Sequence, residues 1–87
     1  MTTAELTVLL DEIRPAMHLC TSDYTAWGDV VSVERPDGAS PERAVIVGRA
    51  RGDGRTVRVP ATAALEIRND KCVRLDAVRA EIDDQGW

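Results

Sequence analysis

The chain has 87 residues, 15 of them acidic and 11 basic, a net charge of −4, and a composition that is 44% apolar. These values predict one small domain over residues 1–87 and argue against a disordered chain. No apolar run approaches the ~20 residues needed to cross a bilayer, and the start lacks the basic segment of a secretory signal, so a cytoplasmic protein with no membrane partner is expected. An acidic total disfavours indiscriminate binding to nucleic acid, which depends on accumulated positive charge. Ten of the eleven cations are Arg and only Lys71 is Lys, a bias that fits a GC-rich bacterial or phage coding sequence.

The first element reads as a helix over residues 2–14. Thr2 and Glu5 have the spacing of a capping box, in which the hydroxyl accepts from a free helical N–H. Leu6, Leu9, Leu10, Ile13 and Met17 recur at three- and four-residue steps and form one apolar stripe. Pro15 should end the helix, since its ring clashes with the preceding turn. The stripe is long for so small a domain, so a homodimer burying Leu6, Leu10 and Ile13 is one expectation.

From Ala26 the period becomes alternating, with Val31, Val33 and Arg35 on one face and Val30, Ser32 and Glu34 on the other. Residues 26–75 read as β-rich. A Pro- and Gly-containing loop spans 36–42, and a strand follows over 43–51. Asp53-Gly54 supplies the positive φ angles of a tight hairpin, and the return strand over 55–59 stops at Pro60. Residues 60–64 fit a single helical turn. Residues 65–68 and 72–75 form a further hairpin about a turn at 69–71. Residues 76–82 read as a short closing helix or a strand extension, and 83–87 as a frayed tail.

One helix ahead of about five short strands lacks the crossover helices that a parallel α/β sheet requires. The expected class is α+β, with the N-terminal helix packed on a small curved antiparallel sheet. By layout alone it resembles the SH3-like and Sm-like barrels.

The chemistry-bearing residues are sparse. His18 and Cys20 make a His-x-Cys pair, and Cys72 is the one other thiol. That is too few ligands in the wrong spacing for structural zinc, so no metal and no cofactor are expected. Reduced, buried thiols are expected in place of a disulfide. No third group is indicated to orient a Cys20–His18 nucleophile, so the chain does not read as an enzyme.

The charge distribution is uneven. Residues 43–58 contain five Arg and one Asp. With a two-residue turn at Asp53-Gly54, Arg49 stands opposite Arg58 with Arg51 beside them. Like charges across a ladder are destabilising unless something acidic covers them. The cover is either the protein's own carboxylates, those of a partner, or phosphates. Arg49, Arg51 and Arg58 are therefore the predicted partner surface, flanked by Tyr24 and Trp27. Trp27 is also the natural anchor of a core without Phe. The leading reading is a non-enzymatic, protein-binding module, either an accessory or regulatory subunit or a small phage-type effector. The alternative is a small-barrel nucleic-acid-binding protein that uses the Arg-rich 43–58 hairpin.

Overall fold

The computed structural model describes residues 2–36 and 40–87. Helix α1 covers Thr3–Glu12. Thr2 caps it as expected: its Oγ1 accepts from the Glu5 N–H at 3.2 Å and donates to the Glu5 carboxylate. The helix stops two residues short of the predicted end. Ile13 is already extended, Arg14 precedes a proline that disfavours helical backbone, and the Arg14 guanidinium donates to the carbonyls of Asp11 and Ile13. Ala16 then turns the chain with φ at +74°.

Six strands follow among the described residues: β1 His18–Cys20, β2 Ala26–Glu34, β3 Val45–Ala50, β4 Thr56–Pro60, β5 Ala64–Arg68 and β6 Cys72–Leu75. Their order in the sheet is β4-β3-β2-β1-β6-β5. All neighbours are antiparallel except β1 and β6, which run parallel. The class is α+β, as expected, but the sheet is mixed and open. It ends at β4 and β5, so the barrel closure suggested by the layout is not made. Residues 37–39 of the expected 36–42 loop lie outside the described residues, and Pro41–Arg43 forms a 3₁₀ turn. No helix among the described residues is long and apolar enough to cross a membrane.

The helical stripe is buried in the protein's own core. Leu6, Leu9, Leu10, Ile13 and Met17 pack with Leu19, Ile46, Val57, Val59, Val73 and Leu75. Leu6, Leu10 and Ile13 are thus buried within the chain itself, which corrects their expected place in an interface. Trp27 is also core, at 4% exposure.

Two register details differ from simple alternation. A bulge between Val30 and Ser32 inserts Val31 as an extra residue. Val30 then points inward, Val33 packs against the core, and Val31 is left exposed. The hairpin between β3 and β4 also differs. The strand ends at Ala50, Gly52 turns the chain at φ +96°, and the Ala50 N–H donates to the Arg55 carbonyl at 2.9 Å. A four-residue loop therefore replaces the two-residue turn, and the pairing moves by two positions. Arg49 faces Thr56 and Arg58 faces Val47.

The C-terminal segment forms neither the closing helix nor the strand extension expected for 76–82, and 83–87 is not frayed. A bend and turn lead into a 3₁₀ turn at Ile82–Gln85. It is pinned by fully buried Ile82 and by Trp87, whose ring meets Trp27 edge-on at 6.3 Å.

Gly48 tests the closeness of the sheet centre. A Cβ there would stand 2.6 Å from Leu19 Cδ1 and 2.7 Å from the Asp29 carbonyl oxygen, and the second neighbour is main chain that cannot swing aside. Gly48→Ala is expected to destabilise the protein by about 1–3 kcal/mol, the usual range for overpacking, read as a lowered urea midpoint.

Candidate functional site

Of the three predicted surface arginines, Arg51 and Arg58 are answered by carboxylates of the chain itself. Arg58 reaches across β3 and grips Glu34 of β2 with both terminal guanidinium nitrogens, at 3.0 and 2.7 Å. This two-point contact holds the Glu34 carboxyl below the usual carboxylate range. Arg51 donates to Asp29 at 3.2 Å. His18 Nδ1 lies 2.9 Å from the same carboxylate and 2.9 Å from Arg51 Nη2. One ring nitrogen cannot donate to Asp29 and accept from Arg51 together, so the tautomer selects which bond is made. Asp29 is held below the carboxylate range, first by Arg51 and then by His18. Arg49 bonds only weakly, to the Gly54 carbonyl at 3.4 Å. The strand register therefore keeps Arg49 and Arg58 on one face without placing them opposite each other, which removes the like-charge pairing on which the site was predicted.

The two aromatic candidates separate. Trp27 is sealed in the core, and its Nε1 donates to Asp83 at 3.2 Å, so it offers no face for stacking. Tyr24 is 54% exposed, yet its ring already carries two guanidinium groups. The Arg68 and Arg74 Cζ atoms lie 4.8 and 4.9 Å from its centroid. Arg68 also donates to the Tyr24 hydroxyl at 3.1 Å.

The thiols meet across the parallel β1–β6 pair without bridging. Register places His18, not Cys20, across from Cys72. Burial, and then the hydrogen bond with Cys72, push the Cys20 thiol up to about 12. A thiol held protonated in this way is a poor nucleophile at neutral pH.

A second place was not singled out in the sequence. A groove of about 470 Å³ runs between α1 and β5, with Val8 and Leu9 on the helical side and Leu65 and Ile67 on the strand side. Val8 is 58% exposed, more than any other large apolar side chain among the described residues. Its signal was present: Val8 is an apolar residue off the core stripe, set between Glu5 and Glu12. The two sheet edges differ. The outer side of β4 is occupied where the Arg58 N–H donates to the Trp87 carbonyl at 3.2 Å, and the strand ends in Pro60. Among the described residues, no main-chain bond from residues 65–67 of β5 goes to anything but β6.

Two outcomes are expected. Asp29, Glu34, Asp53 and Asp83 all titrate below their ordinary range because Arg, His or Trp groups favour the charged form. A lowered folded-state value stabilises the protein above the ordinary carboxylate range, and that stability is lost as pH falls through it. Melting temperature should hold from neutrality to about pH 5 and drop below about pH 4; Glu34→Gln should lower the neutral value and shrink the acid drop. In the second experiment, iodoacetamide at neutral pH should label Cys72 first and Cys20 only on unfolding, as read by mass spectrometry of peptides.

No protein-family model, no curated protein and no solved structure matches this chain.

Proposed function

We propose that the chain is a non-enzymatic protein-binding module that accepts an extended segment of its partner as an added strand on β5. The observation that supports this reading is the asymmetry of the sheet edges. At β4 the Arg58 N–H is taken by the Trp87 carbonyl, while among the described residues no main-chain group of 65–67 on β5 bonds outward, beside a groove floored with apolar side chains. An exposed edge is normally blunted, because its unpaired N–H and C=O groups invite another strand. When an edge is left open next to apolar pockets, main-chain bonds give affinity and the pockets give specificity.

The nucleic-acid reading has less support. Arg51 and Arg58 spend their charge on Asp29 and Glu34, and the net charge of −4 repels phosphate at range.

The test is an amide-resolved NMR titration with end-blocked peptides of alternating apolar and polar residues. Shifts should concentrate on residues 64–68 and on the Ala4–Glu12 flank of α1. Mixed oligonucleotides at physiological salt should leave the spectrum unchanged. Shifts confined to Arg49, Arg51 and Arg58 on adding oligonucleotide, with none on β5 for any peptide, would overturn the proposal.

A further inference from the structure

We infer that the occupant of the α1–β5 groove is a cationic, apolar-alternating segment of another protein, and not a second copy of this chain. The inference rests on the strand-addition reading above and specifies the chemistry of the partner. Positions 5, 8 and 12 fall on one stripe of a helix. Here that stripe carries Glu5, Val8 and Glu12, all exposed and all lining the groove. The two carboxylates stand about 10 Å apart along the helix axis, seven residues at ~1.5 Å each. Same-face side chains of an extended strand repeat every ~7 Å. Two Lys or Arg residues two or four positions apart therefore reach both carboxylates on flexible stems.

Neither carboxylate has an ion-pair partner among the described residues. Glu66 is different. Arg68 and Arg74 lie 3.6 Å from its oxygens, so its charge is answered within the sheet and adds nothing to the groove. Between these two acids, Val8, Leu9, Leu65 and Ile67 provide apolar contact. The wall thus reads acid, apolar, acid, and its complement reads base, apolar, base.

The same charges oppose self-association at this edge. An antiparallel pairing of β5 with its copy about a two-fold axis continues the sheet and sets both α1 helices side by side on one face. Glu5 and Glu12 of each copy would then face each other with no cation between them, on chains that already carry −4 each.

Two end-blocked nonapeptides of identical alternation test this, one Lys/Val and one Glu/Val, followed by NMR at low and high salt. The Lys/Val peptide should bind the groove about tenfold more tightly at low salt, a preference that narrows as salt screens it. Glu12→Lys sits in the last helical turn, where a cation suits the helix dipole, so the fold should hold. The Lys/Val preference should fall several-fold in that variant. Equal binding of both peptides at β5 would overturn the charge inference and leave strand addition standing. No shift on β5 with either peptide would overturn both. Sedimentation as a dimer that Glu12→Lys tightens would identify a second copy as the occupant and overturn the inference alone.

Discussion

Two antiparallel units, β2–β3–β4 and β5–β6, meet in the hydrogen-bonded sheet through the three residues of β1. Leu19 at the centre of that strand is fully buried and pairs with Gly28 on one side and Val73 on the other. Its side chain also fills the space that a Cβ on Gly48 would take. The seam therefore requires a large apolar residue at 19 and none at 48. The parallel alignment of β1 with β6 sets His18 across from Cys72 and Cys20 across from Arg74, and pairing with β2 sets His18 across from Asp29. The polar cluster on the outer face follows from this short strand.

Much of the local structure was legible in the residues. The Thr2–Glu5 cap, the leucine stripe, the Pro15 stop, and the turn at Asn69 and Asp70, both with positive φ, each rest on a local rule that neighbours did not override. The strand β1 was not legible because three residues are too few to show alternation, and one of its two pairings, with β6, is made more than fifty positions away. The Val31 bulge was hidden for the opposite reason: a run of β-branched residues reads as clean alternation whichever one is extra. The hairpin loop at Arg51–Gly54 was misread by two positions because Gly52 and Asp53-Gly54 offer competing turn signals. The tail looked polar, yet Ile82 and Trp87 complete a core that lacks Phe.

The candidate site shows the same division. Local arginine density was plain from composition, but its meaning depended on which carboxylates the fold brought to it. Glu34 lies 24 positions from Arg58, and Asp29 lies 22 from Arg51. Once paired, these groups orient one another and tie β2 to β4 and to the loop after β3, although exposed pairs of this kind contribute little each. The acids of the groove lie elsewhere, on a helix flank where Glu5 and Glu12 resemble ordinary solvating residues until β5 is placed beside them.

The edge-to-face contact of Trp27 and Trp87 has an optical consequence. These are the only two indoles in the chain, and they join the buried start of β2 to the last residue of the tail. Release of the tail alone would move Trp87 into water and uncover the edge of Trp27 while the strands stayed paired. The emission maximum would then shift to the red at a lower denaturant concentration than the far-ultraviolet circular dichroism signal is lost. The protein thus carries a built-in reporter that separates local opening of the β4 edge from global unfolding.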